Sequence, residues 1–234
     1  MDSVIDIGAA RALVADTVLW PRVRDFLWDF APQVHPSWLE NLGREALDER
    51  REDETATSHV SRLMSSPRVK RFILSALGVD PCFHVFPKDD WSRLILLDGQ
   101  TLESIAKWLG ALVCADALRR VTDGATVRAL KAELPGVYPE VFGYTAYFAG
   151  FDFAATGAEN AKTPDEVLSV GCGLLSALLD ACPAPLLKRF TLKLPQKLCD
   201  LCVPSDEKKE RPSTGGAVKK LLRLKFPEAY KLCC

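Results

Sequence analysis

Hydrophobic residues recur three and four positions apart along almost the whole of this 234-residue chain, and runs that alternate apolar with polar are scarce. That spacing puts apolar side chains on one stripe of a helix and leaves little from which to build a sheet, so it predicts an all-α, mainly helical fold. In "TSHVSRLMSSPRVKRFILSALG" (57–78), Val60, Leu63 and Met64 share a stripe that Val69, Phe72, Ile73, Ala76 and Leu77 continue. Pro67 lacks an N–H for the preceding turn and is expected to kink or split this segment, with Gly78 as its stop. Further helices are expected over residues 3–15, 21–30, 164–181, 184–202 with a break near Pro195, and 216–224. Two starts carry local signals. Thr163 can cap Pro164, Asp165 and Glu166, and Ser37 can cap a helix beginning at Trp38.

With 48% hydrophobic residues, the chain can fill the core of one compact multi-helix domain with irregular connections and a short basic C-terminal helix. The expected division is a helical body over 1–203, comprising an N-terminal piece (1–47) and central helices (55–203). A linker (204–216) and a basic amphipathic segment (217–234) follow. "DERREDE" (48–54) and "VPSDEKKERPSTGG" (203–216) have the composition of solvated connections, and "PCFHVFPKDDW" (81–91) suits an extended one. The net charge of −1 conceals an asymmetry. The last 51 residues hold twelve Lys/Arg against five Asp/Glu, which leaves residues 1–183 at −8. An acidic body argues against wrapping nucleic acid, whose phosphates supply most non-specific affinity.

The most apolar window, "VLSVGCGLLSALL" (167–179), has 13 residues, whereas a bilayer span needs about 20. The start "MDSVIDIGAARALVAD" has no basic region ahead of an apolar run and does not read as a secretory signal. The chain is therefore expected to be cytoplasmic, without direct membrane insertion, and its eight cysteines to be reduced.

"TLESIAKWLGALVCADALRRV" (101–121) has the outline of a helix-turn-helix, with Gly110 at the turn. The residues after Gly110 are Ala111, Leu112, Val113, Cys114, Ala117 and Leu118, too apolar for a helix lying in a wet anionic groove. Two packed core helices are the stronger reading, with a DNA-binding regulator as the alternative and no nucleic acid expected. Cys199 and Cys202 ("CDLC") with Cys233 and Cys234 offer four thiols for a zinc site. Adjacent cysteines rarely aim both sulfurs at one metal, so no metal or cofactor is expected and the terminal pair reads as exposed thiols. His35, His59 and His84 form no ligand or nucleophile constellation, and no phosphate loop, nucleophile elbow or HExxH occurs. Nothing supports an enzyme. Trp20, Trp28 and Trp38, with Phe26 and Phe30 among them, are expected mostly in the core. Arg119, Arg120, Lys219, Lys220 and Arg223 are the candidate exposed charges for a partner.

"DFAPQVHPSWL" (29–39), followed by "SRLILLDGQTLESIAKWLGALVCADALRRVTDGATVRALKAELPGVYPEVF" (92–142), resembles the type III secretion sorting-platform family SctK, which includes YscK, PscK, MxiK and OrgA. The counterparts of the family pattern include Leu96, Leu102, Ile105, Leu109, Gly110, Leu118, Arg119, Arg120, Arg128, Leu130, Tyr138 and Phe142. Pro135 and Pro139 depart from it, as does the cysteine-rich end. The resemblance implies a helical, non-enzymatic adaptor at the cytoplasmic face of the bacterial inner membrane. Its implied partners are the cytoplasmic domain of the ring protein SctD and the pod protein SctQ, with the stator SctL and ATPase SctN reached indirectly.

Overall fold

A computed structural model describes residues 19–46, 66–79, 91–151, 160–179, 182–201 and 214–233. Among them the fold is all-α, as the periodicity predicts: eleven α-helices, three short 3-10 helices and no strand. The expected helix over 3–15, the charge run at 48–54, Met64, His59, His84, Cys202, Cys234 and most of 81–91 and 203–213 lie outside the described residues. The chain forms two units, each assembled from two stretches of sequence: 1–99 with 182–197, and 100–181 with 198–234.

In the first unit, α1 (Leu19–Trp28) leads into a 3-10 turn (Ala31–Gln33) and α2 (Pro36–Ala46). Next come α3 (Pro67–Ala76), a 3-10 turn (Ser92–Leu96) and, from the far stretch, α9 (Ala184–Leu192). The turn at Ser92–Leu96 packs against both α1 and α9, and α3 packs against α2 and the turn at Ala31–Gln33. Val23, Phe26, Phe30, Leu94, Ile95, Phe190 and Leu192 are buried among these elements. Phe26 and Phe30 meet edge to face with ring centres 5.5 Å apart, a favoured aromatic geometry.

Pro67 opens a helix rather than kinking one. Ser66 is extended and Pro67 occupies the first helical position, where a missing N–H costs nothing. Gly78, at φ 63°, ends α3 as expected. The stripe continuing from Val69 is buried only at Ile73, and Phe72 is 65% exposed. Trp28 is also a correction: it is 47% exposed, its ring set edge-on against Trp20 at 5.8 Å.

In the second unit the chain runs through α4 (Gly99–Val113), of which residues from 100 onward belong here, then α5 (Ala115–Arg119), α6 (Gly124–Glu133) and α7 (Val141–Phe148). It continues through α8 (Pro164–Leu178), α10 (Thr214–Lys225) and α11 (Pro227–Cys233). Gly110 makes no turn. The helix runs through it and breaks at Cys114. A methyl group at Gly110 would overlap the Val167 carbonyl on α8, and one at Gly171 would overlap the Ala106 carbonyl on α4. The two glycines therefore let α4 and α8 cross in backbone contact, and α8 also packs against α6 and α10. The start of α8 is a full capping box: Thr163 Oγ1 accepts from Glu166 N–H, while the Glu166 carboxylate accepts from Thr163 N–H.

Pro135 and Pro139 fall in the connection between α6 and α7, with Gly136 at φ 70° and Tyr138–Pro139 cis. The basic end packs back. Its helix starts at Thr214, inside the expected linker, and Ala217, Val218, Leu221, Leu222, Ala229, Leu232 and Cys233 are buried. Cys233 is therefore no exposed thiol, because α11 turns that face inward against α10.

Candidate functional site

The five cations expected at the surface divide by what their side chains touch. Arg119 forms an ion pair with Asp116 (2.9 Å), donates to Thr145 Oγ1 (2.8 Å) and lies over the Phe142 ring. It thereby ties α5 to α7. Lys220 donates to the Tyr147 carbonyl (2.5 Å), a group at the C-terminal end of α7 where cations are favoured. Its ammonium also faces the rings of Tyr147, Phe148 and Phe151, all within 6 Å. Arg120 and Arg223 are exposed, and Lys219 is half-buried. Arg119 and Lys220 thus hold unit 2 together, while Arg120 and Arg223 point their charge at solvent.

Lys225, which the charge pattern did not single out, is a half-buried cation of α10. Its ammonium sits 4.3 Å from the Trp108 ring centre and 4.2 Å from that of Tyr144, and bonds Glu140 at 2.9 Å. Desolvation lowers its pKa, but the hydrogen bonds to Glu140 and Tyr144 outweigh that and raise it overall. The charge is therefore retained. Trp108 and Tyr144 themselves meet edge to face at 5.4 Å.

The "HPSWL" element has a structural task in unit 1. His35 N–H donates to the Leu192 carbonyl (2.8 Å) and Trp38 Nε1–H to the Leu194 carbonyl (3.0 Å). The Ser37 hydroxyl accepts from Gln196 N–H (3.0 Å), and the Asn41 amide donates to the Gln196 side chain. The end of α9 and the chain just after it are thus pinned by three residues of one short motif and by Asn41 just beyond it. Ser37 is not the helix cap it was expected to be. The helix begins at Pro36, and His35 Nδ1 accepts from Ser37 N–H (3.2 Å), doing the capping two residues earlier.

Lys193 lies inside this pinned stretch and is 1% exposed. Its amine donates to the carbonyls of Ile95 (2.6 Å) and Leu97 (2.8 Å) and faces the Phe26 ring at 4.7 Å. Burial pushes its pKa down to about 7, with Asp98 opposing and Arg22 reinforcing the shift. A lysine between two leucines in "LKLP" gives no sign of this in sequence.

Of the four candidate zinc ligands, Cys199 lies in the 3-10 turn Gln196–Leu201 and Cys233 is buried in α11. Among the described residues no group of three or more His, Cys, Asp or Glu side chains is placed to hold a metal ion. Cys114 is buried where α4 breaks, and its thiol is pushed up to about 12 by desolvation and then by the nearby Glu166 charge. It is held as a core hydrophobe.

The aliphatic positions that carried the family resemblance are core positions, whereas Arg119, Arg120 and Arg128 are exposed. Leu96, Leu102, Ile105, Leu109, Leu118 and Leu130 are buried, and Gly110 is the helix crossing. The family model described as "YOP proteins translocation protein K (YscK)" matches residues 30–139, from the chain just before "HPSWL" to the connection ahead of α7. Residues 30–139 belong to the YscK family. This is the SctK family of type III secretion proteins, and membership supports a role in that secretion system. The YscK-family segment supplies the pinning motif of unit 1 and the first helix of the α4–α8 crossing in unit 2. Comparison with curated proteins and with solved structures returns no match. Among the described residues no helix is long and apolar enough to cross a membrane.

Proposed function

We propose that the chain is a non-enzymatic, cytosolic adaptor of a type III secretion sorting platform. In this reading it binds the cytoplasmic domain of the ring protein SctD and the pod protein SctQ, with SctL and SctN reached through them. The observation that carries it is the family match over residues 30–139. Two features favour a scaffold. The half-buried Trp38, Asn41 and Lys225 and the buried Lys193 each hold distant segments of the chain to one another. Charge is also divided along the sequence, acidic over 1–183 and basic over 184–234, and a surface carrying both signs suits encounter with more than one partner.

The competing regulator reading requires a turn at Gly110 and an exposed reading helix after it. Instead α4 is continuous there, and Ala111, Leu112, Ala117 and Leu118 are buried.

The test is a binding titration of the purified full chain with each purified partner, followed by all three together on a sizing column. A ternary complex supports the adaptor. Binding to neither partner, or steeply salt-dependent binding to duplex DNA, removes it. Removing residues 204–234 is not a clean probe of the basic end, because Ala217, Val218, Leu221 and Leu222 are part of the unit 2 core.

A further inference from the structure

We propose that the face of unit 2 formed by α7 and α10 docks an acidic amphipathic helix of a protein partner, with Tyr147 and Leu224 as its apolar anchors. The proposal rests on the adaptor reading. Tyr147 is 58% and Leu224 47% exposed, two of the four large apolar side chains that the described residues leave in water. They lie on one side of the unit. Lys220 bonds the Tyr147 backbone, and Leu224 follows it by one helical turn on the same flank of α10. The Tyr147 ring is 6.1 Å from that of Tyr144, against which Lys225, the neighbour of Leu224, is held.

Shape favours a helix as occupant. One turn before Tyr147 stands Gly143, and three residues after it, just past the end of α7, stands Gly150. A Cβ added at either meets nothing within 4 Å. Ala146, between them, is exposed as well. A row of small residues beside two apolar anchors lets a second helix approach closely while its apolar side chains settle on Tyr147 and Leu224.

Charge fixes the sign of that helix. Residues 214–233 carry five Lys/Arg against one Asp/Glu. Glu228 pairs with Lys231 (2.8 Å) and Glu140, at the edge of the face, with Lys225, which leaves a net excess of three cations. Arg223 is exposed beside Leu224. A partner helix with carboxylates flanking an apolar stripe would complement this rim, and a basic one would be repelled.

The experiment titrates the full-length chain with the purified cytoplasmic domain of SctD and, separately, with purified SctQ, for wild type and for Gly143→Glu, Leu224→Asp and Arg223→Glu. Gly143→Glu fills open space on a helix and replaces glycine with a better helix former, so its melting temperature should not fall. Any loss of binding is then a loss of the surface. The expected result is at least tenfold weaker binding of one partner by all three variants, with that partner's wild-type affinity falling as salt rises. Variants that bind both partners within twofold of wild type overturn the docking face while leaving the adaptor reading in place. Wild type that binds neither partner overturns the adaptor reading and this face with it. Variants that keep both partners but lose binding to phosphatidylglycerol vesicles overturn the proposal in favour of a lipid surface.

Discussion

Lys193 shows how much one side chain can decide. Unfolded, its amine titrates at the ordinary 10.5, whereas in the fold burial brings it to about 7. Between those values the unfolded chain holds a proton that the folded chain has released, so stability rises as pH rises through that window and is lost as pH falls from 10.5 towards 7. Each pKa unit corresponds to about 1.4 kcal/mol, so the change amounts to several kcal/mol. The Ile95 and Leu97 carbonyls accept from the neutral amine as well as from the ammonium, so neutralisation removes a buried charge without orphaning either. Urea titrations at pH 7 and pH 9.5 should therefore show the full chain more stable at the higher pH, with Lys193→Met flattening the difference. A stability that falls in parallel for both proteins would refute this assignment. Cys114 permits a second test at the same scale. With its thiol pushed up to about 12 and buried, it should resist alkylation at pH 8 until the chain is denatured, as mapped by peptide mass spectrometry. Neither residue announced itself in the sequence. Burial of a lone lysine or cysteine depends on neighbours more than fifty positions away, such as Phe26 and Glu166.

At the level of elements, local chemistry was legible and close approach was not. The Thr163 cap follows from four consecutive residues and forms as read, and the Glu166 carboxylate completes it to a capping box. Thr163→Ala should cost about 1 kcal/mol by removing the acceptor for Glu166 N–H, a small downward shift in melting temperature. Gly110 could pass for a turn, since glycine is a strong local punctuator. Its actual role depends on Gly171, sixty-one positions on, which no local window contains. Gly110→Ala and Gly171→Ala each force a methyl group into a backbone carbonyl. They should each destabilise by about 2–3 kcal/mol or separate α4 from α8, although alanine is the better helix former. A gain in stability from either would mean that the helices do not cross there. The same contrast explains Phe72, Trp28 and Cys233. Their stripes and types could be read, but whether a stripe faces a partner depends on which helices are left to cover it.

For the whole molecule, the discontinuity of both units matters most. The YscK-family segment ends at residue 139, yet "HPSWL" is bound to 192–196, and Gly110 meets Val167 and Gly171 on α8. The family pattern thus encodes half of each interaction, and the other half comes from the less family-like remainder of the chain. Composition and periodicity could give the helical class but not this interleaving, because contacts between distant stretches leave no trace in a single sequence. A fragment of residues 30–139 would expose the Trp38 indole, the inner face of α4 and the Leu96–Leu97 turn, with nothing to close over them. It should show partial helicity by circular dichroism but no cooperative urea transition, whereas the full chain should unfold cooperatively. A sharp transition in the fragment would mean that this segment folds by itself, and that the bonds from His35, Ser37 and Trp38 to residues 192–196 are accessory. Without such a transition, changes in 182–197 or in α8 should abolish secretion as thoroughly as changes within the family segment, because they remove the other half of the same contacts.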